Sequence, residues 1–147
     1  MIAENIRSTH NVGAFFRTAD ALGVDKIFLC GYTPCPPRKE ISKVALGAEQ
    51  TVPWEQRKRT AALLQKLRRE HVRLVALEFT PAAVPLHTFR PRFPLALIVG
   101  NEVTGVEFST LKFADQVVKI PMRGEKESLN VSVAAGIALY ALTLRRS

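Results

Sequence analysis

The chain is poor in the features that mark several classes of protein. It has two cysteines in 147 residues, too few for a disulfide-stapled secreted scaffold. Cys30 and Cys35 stand close together, while His10, His71 and His87 fall at no ligand spacing, so no metal site is expected and both cysteines read as free thiols. Aromatic residues make up 7%, and Trp54, Tyr32 and Tyr140 are isolated in sequence, which gives no sign of a base-stacking platform. No apolar run approaches the roughly 20 residues of a membrane-spanning helix. The longest uncharged stretch, Ser128 to Leu144, is broken by Ser, Asn and Gly. The opening Met-Ile-Ala-Glu-Asn lacks the basic and apolar regions of a secretory signal. Internal repeats, low-complexity tracts and a domain linker are missing too. The expectation is one domain over residues 1–147 with no appended RNA-binding domain, cytoplasmic, without membrane or metal.

Acidic residues are also in short supply: 13 Asp+Glu stand against 21 Lys+Arg, for a formal net charge of +8. Such a balance favours polyanionic partners such as nucleic acid. The basic residues cluster at Arg57–Arg59, at Lys66, Arg68 and Arg69, at Arg90 and Arg92, and at Arg38 and Lys39. A single cluster reads equally well as a solvated face. Several on one small domain favour phosphate contacts.

The 47% hydrophobic content is that of a globular chain, and it is arranged in alternating elements. Val24–Cys30, Arg73–Leu77, Leu95–Val99 and Gln116–Ile120 are short apolar runs bounded by turn residues, the pattern of strands covered on both faces. Val12, Phe15, Phe16, Ala19 and Leu22 make one face of a helix, with Asn11 as N-cap and Gly23 just past its end. Gln56–His71 reads as a second helix with Leu63, Leu64 and Leu67 inward, and a last helix runs from near Leu129 to near Arg145. That last helix is apolar nearly all round, so it must be covered on several sides, by this chain or by a second copy. Thr80–Pro94, with four prolines, reads as irregular. Strand–helix alternation predicts an α/β fold, a mostly parallel open sheet with helices on both faces.

Three segments carry candidate chemistry. In the first, Gly13 and Arg17 share a helix face, Gly13 allowing another backbone to approach and Arg17 standing over that opening; an Arg17–Asp20 pair is the plain alternative. In the second, the strand ending at Val99 delivers Gly100, Asn101 and Glu102 to its carboxyl end, where ligands of open α/β sheets collect. Glu102 there suits either a ligand amine or the bracing of a loop. In the third, Ser128 or Asn130 caps the last helix and the other is left for a site.

Taken together and in this order, the segments resemble the motifs of SpoU/TrmH-family RNA 2′-O-methyltransferases of the SPOUT superfamily. Asn11, Gly13 and Arg17 match the first motif; Gly100, Asn101, Glu102 and Gly105 the second; Ile120, Pro121, Met122, Ser128, Leu129 and Asn130 the third. Lys43–Glu49 resembles a further family segment, and the match spans nearly the whole chain. One departure is the short stretch Met1–Glu4 before Asn5, where the family has a fuller strand.

The resemblance implies a C-terminal deep trefoil knot, a homodimer packed through the first and last helices, and S-adenosylmethionine as cofactor. It places the cofactor on Leu77, Glu78, Gly100, Asn101, Glu102, Ile120, Met122, Ser128 and Leu129. It implies methyl transfer to a ribose 2′-hydroxyl, with Arg17 at the hydroxyl, Asn11 and Asn130 orienting Arg17 and the substrate, Glu102 bracing the loops and Ser128 capping and contacting. Small stand-alone members of the family favour tRNA over rRNA as substrate. The rival readings are a non-catalytic module that binds RNA or the cofactor, and a base methyltransferase of another SPOUT branch.

Overall fold

The computed structural model describes residues 1–146. Seven strands form one sheet, and every adjacent pair is parallel. In chain order they are β1 (Ile2–Glu4), β2 (Ile27–Cys30), β3 (Trp54–Arg57), β4 (Arg73–Leu77), β5 (Val84–Pro85), β6 (Leu95–Val99) and β7 (Gln116–Lys119). Their order across the sheet is β3-β2-β1-β6-β4-β7-β5. The helices are α1 (Thr9–Leu22), α2 (Lys39–Ala45), α3 (Ala48–Thr51), α4 (Thr60–Arg69), α5 (Phe108–Phe113) and α6 (Val131–Thr143).

The continuous apolar strands are explained by two cores. Successive side chains of a strand point to opposite faces. Ala3, Leu29, Val75, Leu97 and Val99 meet α1, α2 and α6 on one face, while Ile2, Phe28, Leu74, Ala76 and Ile98 meet Leu63, Leu64 and Leu67 of α4 on the other. The edge strand β3 is only half-buried, and Glu55 is paired there with Lys26 and Arg57.

Several local expectations are corrected. Ser8, not Asn11, caps α1: its hydroxyl accepts the Asn11 N–H at 3.2 Å, which frees the Asn11 side chain. The stripe Val12–Phe15–Phe16–Ala19 is buried as expected, and Gly23 closes the helix with φ +66°. The strand expected from Val24 begins at Ile27, because Val24 continues the turn off α1 by donating to the Ala19 carbonyl. The helix expected over Gln56–His71 is shorter, Thr60–Arg69: β3 claims Gln56 and Arg57 by pairing with β2. Arg57 therefore belongs to a strand, and only Lys58 and Arg59 lead into the helix. The strand expected to reach Ile120 stops at Lys119, and the last helix starts at Val131, capped by Asn130. The proline-bearing stretch 80–94 holds the two-residue strand β5, paired through Val84 and Pro85 at the sheet edge, where a missing N–H is tolerated.

The apolar last helix is covered on one side only. Ala135, Ala138, Leu139 and Leu142 are buried, while Val133, Ile137, Tyr140 and Leu144 form an exposed stripe along the helix.

Candidate active site

Parallel strands send the loops that follow them to a common edge, and the three motif segments meet there. After β6 the chain turns at once. The Asn101 and Gly105 backbones exchange hydrogen bonds of 3.1 and 2.9 Å, closing a tight loop. Gly100 is required by that closure: a Cβ there would lie 2.3 Å from the Val106 nitrogen. Gly105 adopts φ +74°, which glycine takes without strain. The Asn101 side chain is spent inside the loop, accepting from Val103 and Thr104 N–H and donating to the Asn5 carbonyl and the Tyr32 hydroxyl. Glu78 holds the other wall, accepting from Phe79 N–H and Val106 N–H, both at 2.9 Å.

Glu102 is the junction of the site. Its carboxylate accepts from Arg7 N–H (2.9 and 3.1 Å), Ser8 N–H (3.0 Å) and the Asn11 amide (3.0 Å). Burial by itself pushes this carboxyl up. The backbone donors of Ser8 and Arg7 and the Asn11 amide outweigh burial and hold it below its ordinary value. An ionised carboxylate only accepts, so Asn11 must turn its NH₂ toward Glu102 and its oxygen away. That oxygen accepts from the Asn130 NH₂ at 3.2 Å. Asn130 is then left with its oxygen facing α6, where it takes Ser132 N–H at 2.9 Å and Val133 N–H at 3.3 Å. One polar relay thus ties the start of α1, the loop after β6 and the start of α6, and it sets the orientation of both amides.

Beside the relay lies a cleft of about 210 Å³. Leu77, Glu78, Gly100, Asn101, Glu102, Ile120, Met122, Ser128 and Leu129, all expected at a cofactor, line it, together with Phe79, Val99, Val103, Thr104, Gly105, Glu127, Val131 and Ala134. Of the added residues Gly105 belongs to the second motif, and the rest are strand, loop and α6 neighbours that a motif match does not reach. Backbone groups from Ile120 to Leu129 make no hydrogen bond to other backbone among the described residues. Exposed main-chain donors and acceptors with no backbone partner, set beside apolar walls, suit a planar heterocycle with polar edges. Gly100 and Gly105 serve the wall itself, since the Gly105–Val106 backbone and the Glu78 carboxylate occupy the space their Cβ atoms would take. The cleft thus fits an adenosine-type cofactor such as S-adenosylmethionine.

Arg17 and Ser128 are placed differently from Glu102, Asn11 and Asn130. Ser128 does not cap α6; it is exposed on the cleft wall. Arg17 is exposed on α1, lies off the cleft lining, and is hydrogen-bonded to neither Asn11 nor Asn130. The alternative Arg17–Asp20 pair does not form among the described residues, and Asp20 instead accepts from the Thr51 hydroxyl at 3.1 Å. Gly13 does admit a neighbouring backbone: a Cβ there would lie 2.7 Å from the Ile41 carbonyl oxygen of α2. Both cysteines are free. Burial, with the Glu4 carboxylate nearby, pushes the Cys30 thiol to about 12, so it stays protonated and inert. Among the described residues no three His, Cys, Asp or Glu side chains cluster as metal ligands, and no helix is long and apolar enough to cross a membrane.

The fold and the cleft define a parallel α/β domain with a ligand site at its carboxyl edge. Residues 1–140 match the SpoU rRNA Methylase family model, and the chain belongs to that family. The 23S rRNA (guanosine-2′-O-)-methyltransferase RlmB of Bordetella pertussis is 34% identical over 146 residues, covering 99% of this chain and 59% of that protein. The chain therefore spans about three fifths of that relative's length. Two solved structures superpose closely. The AdoMet-bound rRNA methyltransferase of Sinorhizobium meliloti has a TM-score of 0.91 at 29% identity, covering 99% of this chain and 55% of that one. The TrmH/SpoU tRNA modifying enzyme of A. aeolicus has a TM-score of 0.90 at 31% identity, covering 99% and 73%.

Proposed function

We propose that this chain is the methyltransferase domain of an RNA-modifying enzyme, moving a methyl group from S-adenosylmethionine to a ribose 2′-hydroxyl. The observation that carries the reading is the Glu102–Asn11–Asn130 relay, which joins all three motif segments at the wall of one cleft. When bound, the cofactor would supply an electrophilic methyl on a sulfonium, which the ribose oxygen would take as the carbon–sulfur bond broke onto sulfur and the hydroxyl proton left.

The chain's own residues hold and polarise. Glycine-shaped loops and the free backbone of 120–129 bind the cofactor's adenosine part. The relay fixes the loop after β6 against α1 and α6, so the reacting groups meet a preset geometry. Arg17 cannot be a simple base, since guanidinium keeps its proton to a pKa above about 12. Its role is to grip the ribose and adjacent phosphate and to stabilise the emerging alkoxide, while the proton passes to that phosphate or to water.

Ribosomal RNA is the substrate class of this proposal. The family resemblance favours tRNA, but the 34% identical relative is named for 23S rRNA. The working unit is a homodimer in the cytoplasm, without a metal, joined through α1 and the exposed stripe of α6. Thr18 of α1 lies beside Gly136 of α6, so such pairing brings the α1 surface that bears Arg17 to the shared face. The knot belongs to the same reading, supported by the return of the chain from β7 to α6. The Arg145 guanidinium there holds the carbonyls of Leu86, His87 and Phe89.

The test is transfer of labelled methyl from S-adenosylmethionine to purified rRNA and tRNA, followed by mapping of 2′-O-methyl positions. Label at a ribose of rRNA is expected. Label only in tRNA overturns the substrate class, and label in a base overturns the reaction.

A further inference from the structure

The aromatic residues are isolated in sequence, yet the fold sets one of them at the rim of the cleft with nothing covering its ring. Tyr32 follows Gly31 at the end of β2 and is 63% exposed. Its hydroxyl accepts from Asn101 Nδ2 at 3.0 Å, and its N–H donates to Asn5 Oδ1 at 3.4 Å. Asn101 is buried and also holds the Asn5 carbonyl, so the ring is tethered at both ends to the cleft wall. Gly31 makes this possible: it adopts φ +64°, and a Cβ there would lie 1.8 Å from Asn5 Oδ1. Two other exposed aromatic rings at this edge each carry a lysine over one face, Phe79 that of Lys119 and Phe108 that of Lys112. No cation covers Tyr32 among the described residues.

On the side away from the cleft, Asn5 and Gly31 also form the wall of a second groove of about 290 Å³. Lys58 and Arg59, which follow β3 beside Gly31, line the same groove, and neither is in an ion pair among the described residues. The carboxylates in that groove are already engaged. Glu4 is buried and accepts from the Thr110 hydroxyl and Glu107 N–H, and Glu107 accepts from the Asn5 amide. The order along the sheet edge is therefore cleft, tethered aromatic ring, free cations.

We infer that Tyr32 is a stacking platform for an RNA base beside the reacting ribose, and that Lys58 and Arg59 take the phosphates of the same single strand as it leaves along the second groove. This rests on the proposed RNA substrate and adds the side of the cleft from which the strand is read. An unpaired base offers a π face to any flat ring, which gives affinity with little sequence choice. The cations add a salt-dependent share.

The test uses a ten-nucleotide single-stranded RNA carrying 2-aminopurine, titrated against the full chain and read by anisotropy and by fluorescence quenching. Tyr32→Ala and Tyr32→Leu are expected to weaken binding roughly 5- to 100-fold and to abolish quenching, the range that base–aromatic stacking supplies. Tyr32→Phe, which keeps the ring and loses the hydroxyl, is expected to stay within about threefold. Lys58→Ala with Arg59→Ala is expected to flatten the salt dependence by a slope of roughly one to two. Arg73→Ala, which removes an exposed cation at the amino end of β4, is expected to leave the slope unchanged. Melting temperature and S-adenosylmethionine affinity, measured on the same samples, are expected to hold.

If Tyr32→Phe is as weak as Tyr32→Ala, the hydroxyl's bond to Asn101 is what matters and the platform is overturned. Unchanged binding by Tyr32→Ala overturns it as well, and so does failure of the unmodified chain to quench the probe. A Tyr32-dependent binding pattern in a protein that transfers no methyl to any RNA leaves the platform standing and overturns the enzymatic reading instead.

Discussion

The side-chain amide of Asn11 donates to the Glu102 carboxylate across 3.0 Å, bridging 91 positions of sequence. Two motif segments that look independent are therefore one device. Glu102 spends its acceptor capacity on Arg7 N–H, Ser8 N–H and Asn11, so its charge is a fixed internal counterpart to the start of α1. It is a brace, and its chemistry is to stay ionised.

Glu102→Gln is expected to loosen this corner. The new amide brings donors to face the Arg7 and Ser8 N–H groups, and one or more contacts must be lost. A cost of about 1–2 kcal/mol is expected, at the low end for a charge-assisted cluster because the side chain is partly exposed. The pH dependence has a definite sign. The folded carboxyl titrates below its ordinary value of 4.5, so its contribution is complete above that value. It is lost as pH falls through the lower folded value. Thermal melts between pH 3 and 7 are expected to show a steeper acid fall in the unmodified protein than in Glu102→Gln.

Gly100→Ala tests the loop closure. The added Cβ would lie 2.3 Å from the Val106 nitrogen and 2.4 Å from the Gly105 carbonyl, both main-chain atoms with little freedom to yield. The Asn101–Gly105 pairing must open or shift. Cofactor affinity is expected to fall at least tenfold in calorimetry, with stability reduced by about 1–3 kcal/mol. Full affinity with an unchanged melt would show that the loop has more slack than its contacts indicate.

What the sequence makes legible follows from how each feature is encoded. The parallel sheet, the α1 stripe and the inward leucines of α4 are written as local periodicity, and they are found where expected. Glycines and asparagines of the three motifs are recognisable as a family pattern, and Glu102, Asn11 and Asn130 do meet. Strand β3 was not legible, because Trp54–Arg57 has no apolar run and owes its pairing to β2. The two-residue β5 is likewise fixed by its neighbour β7. Ser8 and Asn11 are both good caps by residue type, so the N-cap is not legible locally; it follows from the distant bonds that engage the Asn11 amide with Glu102 and Asn130. The bonds that tether Tyr32 are distant in sequence, so its isolation there said nothing about its place at the cleft.

Ile137→Glu addresses the homodimer. Ile137 is 43% exposed in a single chain and sits with Val133, Tyr140 and Leu144 on the free side of α6. Its replacement therefore need not disturb the core formed by Ala135, Ala138, Leu139 and Leu142. A charge set in an apolar contact between two copies is costly. Sedimentation is expected to show a dimer for the unmodified chain at micromolar concentration and a folded monomer for Ile137→Glu. A monomeric unmodified chain would overturn the dimer.

Arg17 is the motif residue at which the proposed chemistry and stability can be separated most sharply. It lies off the buried stripe of α1, is exposed, and forms no ion pair among the described residues. Removing it opens no cavity and strands no partner, so Arg17→Ala is expected to melt within a degree or two of the unmodified protein. It lines no wall of the cleft, so cofactor affinity is expected to hold as well. The transition state is another matter. A positioned donor aimed at developing negative charge is worth about 10²–10³ in rate, and single-turnover methyl transfer to RNA is expected to fall by that factor. Arg17→Lys is expected to recover little, since an ammonium cannot present the planar fork that spans a ribose oxygen and a phosphate. The two measurements belong on the same samples. A large drop in melting temperature with the rate intact would make Arg17 structural. An intact rate with an intact melt would move the chemistry to another residue, with Ser128 on the cleft wall the first to examine.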